Sequence, residues 1–256
     1  MTIYYHGGPK SMLDNILRGD RFKTSDELDS RLYTPIPGRV YISKDIGYTI
    51  IYAMGANMAG HKWNPEHVYP SGSVLEVEVK DTNLLWPDED EIGRIIAMGY
   101  GIKYYPGKYD KFYHRGETSD KHRELMNLYE EVEIEMPEYV FDYLNEHYFE
   151  VDLYDVWVMI GKQMINVLKE ENPYLLHKFT MAVDHVSTPP TNLIITKGWV
   201  IDNKRFMHLL DESGSNFFDY AEPVNISTPI LAHGVGRGWH NDRYRHSLAA
   251  RGVRTR

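Results

Sequence analysis

The sequence predicts an α+β domain interrupted by an acidic helical insertion, and three observations carry that expectation. Residues 1–85 alternate strand and helix patterns, residues 117–187 carry helical ones, and strand character returns after residue 190. The chain has 256 residues and is 42% apolar, which is enough to build a core.

Ile3-Tyr4-Tyr5-His6 reads as a short strand that stops at the breaker Gly7-Gly8-Pro9. A short helix starts at Ser11, with Asp14 at the capping-box spacing. Met12, Ile16 and Leu17 form its apolar face, and Gly19 is its stop. Asp20 to Pro37 is polar and breaker-rich, the pattern of a loop. Gly38 to Ser43 follows as a second strand. Asp45 to Asn57 is a helix with Ile46, Ile50 and Met54 four apart on one face. Ser73 to Val79 alternates apolar and acidic residues, as a half-buried strand does.

Helical periodicity then fills 121–131, 137–147, 153–171 and 173–186, with Pro137 and Pro173 at first-turn positions. Residues 192–196 and 217–226 read as strands. Four segments result: 1–116, the first half of the core; 117–187, the insertion; 188–235, the second half of the core; and 236–256, a basic tail.

Net charge is −9, unevenly spread. Residues 117–155 hold thirteen acids against Lys121 and Arg123, a segment that repels nucleic acid. The tail carries Arg237, Arg243, Arg245, Arg251, Arg254 and Arg256 against Asp242. It can neutralise phosphates of a nucleic acid or pair with the chain's own acidic segment. With no cysteine, disulfides, thiolate nucleophiles, Cys-ligated zinc and iron–sulfur clusters are excluded together. No apolar run reaches the roughly 18 residues of a membrane-spanning helix, so no membrane partner is expected. The start, Met1-Thr2-Ile3-Tyr4-Tyr5, has no basic stretch or signal-peptide core, which points to the cytoplasm.

Familiar site motifs are missing. Gly7-Gly8-Pro9-Lys10-Ser11 lacks the first glycine of a P-loop, and no GxGxxG, GxSxG or HExxH occurs in context. The twelve histidines never pair at three or four residues on one helix face. His177 and His185 lie eight apart, with Asp184 beside the second, and no metal is expected. One ordered set stands apart. His6-Gly7 closes the first strand, Tyr41 lies in the second, Thr49 follows eight residues later, and Tyr52 sits about one helix turn beyond Thr49.

In Tyr5-His6-Gly7, Gly38-Arg39-Val40-Tyr41-Ile42 and Thr49-Ile50-Ile51-Tyr52-Ala53 the chain resembles the ADP-ribosyltransferase superfamily. The likeness is to its diphtheria-toxin and poly(ADP-ribose) polymerase branch, with the His–Tyr–Glu signature. Val74 to Val79, leading to Asn83-Leu84-Leu85, falls where that family places its next strand. Gly8 stands where the family usually has Ser or Thr. The resemblance covers the first third of the chain and implies a split β-sheet core.

The resemblance also implies the chemistry: NAD⁺ as substrate, nicotinamide released, and ADP-ribose passed to a macromolecular acceptor, either protein or nucleic acid. Breaking the nicotinamide–ribose bond passes through an oxocarbenium-like state, the charge problem that glycosidases solve with carboxylates. By resemblance His6 binds a ribose hydroxyl, and the backbone of Gly7 binds the nicotinamide carboxamide, where a side chain would crowd the ring. Thr49 adds a hydroxyl to that carboxamide, Tyr52 stacks on the nicotinamide face, and Tyr41 walls the pocket opposite. The third signature residue is a glutamate on a late strand that stabilises the developing charge. After the insertion the acids are Asp202, Asp211, Glu212, Asp219, Glu222 and Asp242, and Glu222 is the glutamate beside strand-like sequence.

Two alternatives stay open. An NAD-dependent RNA 2′-phosphotransferase shares the fold but relies on a basic surface that residues 1–85 do not supply. A catalytically inactive ADP-ribosyltransferase-like binding or assembly protein would keep the core without its chemistry.

Overall fold

Residues 3–27, 35–53, 71–93, 153–202 and 221–232 are described by the computed structural model, and they form an α+β arrangement built on antiparallel strands. The helices expected at 121–131 and 137–147, the strand start at 217–220 and the basic tail lie outside the described residues. In chain order the elements are β1 (Ile3–Pro9), α1 (Lys10–Leu17), β2 (Val40–Ser43), α2 (Ile46–Ala53), β3 (Ser71–Val79) and β4 (Trp86–Pro87). These are followed by α3 (Leu153–Glu171), α4 (Pro173–Ala182), β5 (His185–Thr188), β6 (Leu193–Asp202), β7 (Glu222–Val224) and β8 (Ile230–Leu231). The chain divides into two units: one of Met1–Leu32, Pro37–Leu84 and Thr188–Arg256, the other of Tyr33–Ile36 and Leu85–Ser187.

In the first unit the strands lie in the order β2-β1-β3-β6-β7, with β8 also pairing β6. One row of the sheet runs His6↔Leu75, Leu75↔Gly198, Gly198↔Val224. A neighbouring row runs Gly8↔Ser73, Ser73↔Val200, Val200↔Glu222. Two adjacent glycines show what covers each face. A Cβ on Gly7 would stand 2.0 Å from the Thr49 carbonyl oxygen in α2, whereas one on Gly8 would meet Met12 Sδ of α1 at 2.8 Å. Successive strand residues point to opposite faces, so α1 and α2 cover opposite faces of the sheet. Tyr4, His6, Leu75 and Val77 face α1; Tyr5, Gly7, Gly72, Val74 and Ile201 face α2.

Burial on both faces changes the sequence expectations in three places. The strand expected to stop at Gly7-Gly8-Pro9 continues through all three, paired residue for residue with Val74, Ser73 and Gly72. These glycines therefore mark close packing, not a turn. The half-buried alternation expected for β3 is absent, since everything from Gly72 to Val77 is buried, Glu76 included. Each face of the strand has its own helix, so no side is left to water. The capping box expected around Ser11 and Asp14 does not form. The helix starts one residue earlier, after Pro9, which makes no side-chain cap, and Asp14 instead holds Lys10 at 2.7 Å.

The stop at Gly19 is as expected, and its geometry explains the residue. Gly19 has φ +95°, its N–H reaches the Ile16 carbonyl (2.9 Å), and the Asp20 N–H reaches back to Asn15 (3.1 Å). This closes the helix in a Schellman motif. The start of α2 is likewise local chemistry, because the Asp45 carboxylate accepts the Gly47 N–H at 2.7 Å.

The second unit pairs β4 with β5 at Trp86↔Ser187 and Pro87↔Val186. Helix α3 runs over Leu153–Glu171, as its periodicity predicts. Asn172 then caps α4 by accepting the Leu175 N–H at 3.1 Å, with Pro173 in the first turn. The helix expected to reach Val186 ends at Ala182 instead. Val183 is extended, and the β-branched Val186 and Thr188 join a strand whose partner is β4.

Candidate functional site

His6 sits near the middle of β1, half-buried, with its Nδ1 2.7 Å from the backbone oxygen of Tyr41 in β2. A carbonyl can only accept, so Nδ1 carries the proton, and in the neutral ring Nε2 is then an acceptor. Burial lowers the pKa of the ring below the ordinary 6.5, with the Tyr41 carbonyl pulling the other way, so the neutral form is favoured. The Phe22 ring packs against one side of the imidazole, with centroids 4.8 Å apart and planes at 75°.

Gly7 is seated under α2. Besides the Thr49 oxygen, a Cβ there would meet the Ala53 nitrogen at 3.0 Å, and a Cβ on Gly72 would lie 2.0 Å from the Ala53 oxygen. The glycine was expected in order to keep a ligand ring uncrowded; the group a side chain would strike is the helix backbone. This close seating brings the Thr49–Tyr52 turn of α2 over β1. Thr49 itself is buried, and its hydroxyl donates to the Asp45 carbonyl at 2.9 Å. Tyr52 is 46% exposed and meets Tyr48 edge-on, with the two hydroxyls 3.0 Å apart.

Tyr41 is half-buried in β2, and alternation from Ser43, the partner of Tyr5, puts its side chain on the α2 face. Through its carbonyl Tyr41 also holds the His6 ring, which belongs to the α1 face. The structure therefore brings His6 to the Tyr41 backbone and Gly7 to the Thr49 backbone, with Tyr52 one turn further along the same helix.

Glu222 opens β7, exposed, on the His6 face of the sheet and in the row of Gly8. Three strand spacings separate β7 from β1, on the order of 14 Å. The Glu222 carboxylate and His6 are not in direct contact across that span. Among the described residues of the first unit, the buried carboxylate is Glu76. It accepts from Thr196 Oγ1 (2.9 Å) and Lys197 Nζ (3.0 Å) at a register shift between β3 and β6.

Sequence reasoning missed Phe22 and Glu76. Phe22 lies in the stretch whose polarity predicts a loop, and its signal there is that it is the lone large apolar residue between Leu17 and Leu28. Glu76 was hidden by the regular alternation of β3. Among the described residues no group of three or more His, Asp or Glu side chains is placed to hold a metal ion, and no helix is long and apolar enough to cross a membrane. No protein-family model, curated protein or solved structure matches the chain.

Proposed function

We propose that the chain is an NAD⁺-cleaving ADP-ribosyltransferase with a split-sheet core of the kind its signature residues imply. The reading is carried by one observation, the 2.7 Å hydrogen bond between His6 Nδ1 and the Tyr41 carbonyl oxygen. With Nδ1 committed to the Tyr41 carbonyl, Nε2 is an acceptor that suits a ribose hydroxyl. Tyr52, the stacking partner that the resemblance assigns to the nicotinamide, has an exposed ring on the α2 side of the sheet, opposite the side of the His6 ring. In the reaction the bond from the ribose C1′ to the nicotinamide nitrogen breaks and its electron pair leaves with neutral nicotinamide. A nucleophile on a protein or nucleic-acid acceptor then bonds to C1′ and loses its proton. Glu222, on the His6 face but three strand spacings from β1, is the carboxylate that the resemblance assigns to the developing positive charge. The acidic segment and the arginine tail are the parts we assign to acceptor recognition.

Nicotinamide release from NAD⁺ tests this, with His6→Ala and Glu222→Gln alongside. Release that is lost in both variants supports the reading. Release unchanged in folded His6→Ala sinks it. Release that survives only in Glu222→Gln keeps the reaction and moves the carboxylate role to another residue.

A second reading, an NAD⁺-binding module without turnover, is favoured by two observations. Glu222 is exposed on an edge strand, and the Thr49 hydroxyl already serves the Asp45 carbonyl. Thermal stabilisation by NAD⁺ or 3-aminobenzamide without nicotinamide release selects it. A ligand at a hundred times its Kd adds about 2.7 kcal/mol.

A further inference from the structure

The segment that carries Phe22 is fastened at several points. The Phe22 N–H donates to the Ala232 carbonyl at 2.8 Å, and the Ser25 N–H to the Arg39 carbonyl at 2.8 Å. The Asp26 carboxylate accepts the Gly38 N–H at 2.8 Å, just ahead of β2. Within the segment Glu27 is the hub. It takes the Thr24 N–H (2.8 Å) and hydroxyl (3.0 Å), and Arg21 clamps it through both terminal nitrogens. Arg21 also donates to the Phe22 carbonyl at 3.1 Å. A stretch with this many ties holds one conformation, and its single large apolar side chain is almost fully buried, at 1% exposure, with its ring packed at a steep angle against the His6 ring.

We propose that residues 21–27 form a fixed strap whose Phe22 is a positioning residue for His6, keeping the imidazole on the Tyr41 carbonyl so that Nε2 is the nitrogen offered to a ligand. A ring attached through two torsions can swing about χ1 and χ2 unless something blocks it. The hydrogen bond to Tyr41 fixes one nitrogen, and the Phe22 ring, packed at 75° against the imidazole, hinders rotation of its plane. Water is also kept from that side of the ring, which favours the neutral form. The charged groups of the elements on this face are largely paired with one another: Lys10 with Asp14 on α1, and Arg21 with Glu27 on the strap. Glu222 on β7 is exposed. The two influences on the ring are burial and the Tyr41 carbonyl.

The inference rests on His6 being the ligand-binding group of the proposed function, yet its test needs no NAD⁺, so the two can fail separately. The ring nitrogens and Cε1 proton of His6 are followed by NMR through a pH titration, assigned by their absence in His6→Asn. In Phe22→Leu the midpoint should rise towards the ordinary histidine value by about half a pH unit or more, and the Nδ1–H tautomer signature should give way to a mixture. Phe22→Tyr, which keeps the ring, should restore both. Where Phe22→Leu does not fold, Arg21→Ala loosens the strap from the surface and should shift the same signals in the same direction. An unchanged midpoint and tautomer in a folded Phe22→Leu, or in Arg21→Ala, overturns the proposal.

Discussion

Gly7 and Gly8 are chemically identical neighbours, and the structure predicts opposite responses to the same substitution. Neither has positive φ, so alanine fits the backbone of both. At Gly7 the new Cβ would lie 2.0 Å from the Thr49 oxygen, about 1.4 Å inside an ordinary contact, with two further backbone atoms at 3.0 Å. All three are helix backbone, and no rotamer can clear them. Sliding α2 is also obstructed, because Gly72 meets the Ala53 oxygen just as closely. Overpacking of this kind costs about 3 kcal/mol, offset by roughly 0.4–1 kcal/mol from the stiffer unfolded chain. The expected net loss for Gly7→Ala is about 2–3 kcal/mol, a fall in Tm on the order of 5–10 °C.

At Gly8 the obstacles are the Met12 Sδ and Cε, the far end of a flexible side chain. Gly8→Ala should stay within about 1 kcal/mol of the parent. Urea unfolding followed by circular dichroism measures both, with nicotinamide release or NAD⁺ binding as the functional readout. If Gly7→Ala proves no less stable than Gly8→Ala, α2 is not seated on β1 as described. The placement of Thr49 and Tyr52 beside Gly7 then falls with it.

Two further outcomes follow from buried polar groups. The Tyr4 hydroxyl is buried with no hydrogen-bond partner among the described residues, and burial raises its pKa. Tyr4→Phe removes that unmet hydroxyl and should stabilise the protein by about 1 kcal/mol in urea unfolding, whereas a loss of stability would show that the hydroxyl has a partner after all. His6 is held neutral, with a folded pKa below 6.5. Between that pKa and 6.5 the unfolded chain binds the extra proton, so this contribution to stability is complete above pH 6.5 and is lost as pH falls through the window. Subtracting the stability–pH curve of His6→Asn from that of the parent should leave a term that rises with pH across this window. A flat or falling difference refutes the assigned ionisation.

Local chemistry was enough to read several elements of both units from the sequence. Gly19 ends α1 because its backbone conformation suits glycine, Asp45 starts α2 through its own carboxylate, and Asn172 with Pro173 starts α4. These signals act over a few residues, which is why α3 and the main strands fall where periodicity places them. The grouping of His6, Gly7, Tyr41, Thr49 and Tyr52 was legible as spacing, but the faces they occupy were not. Only the pairing of β1 with β3 carries the strand through Gly7-Gly8-Pro9, and only the two covering helices explain a buried Glu76 in an alternating pattern. Partners far apart in the chain also decided the rest. Tyr41, thirty-five residues on, selects the tautomer of His6; Phe22, from a polar stretch, lies against its ring; and the sheet order sets Glu222 three strands away. A sequence records which groups a segment offers, whereas the tautomer, the burial and the reach of each group depend on neighbours that only the folded chain supplies.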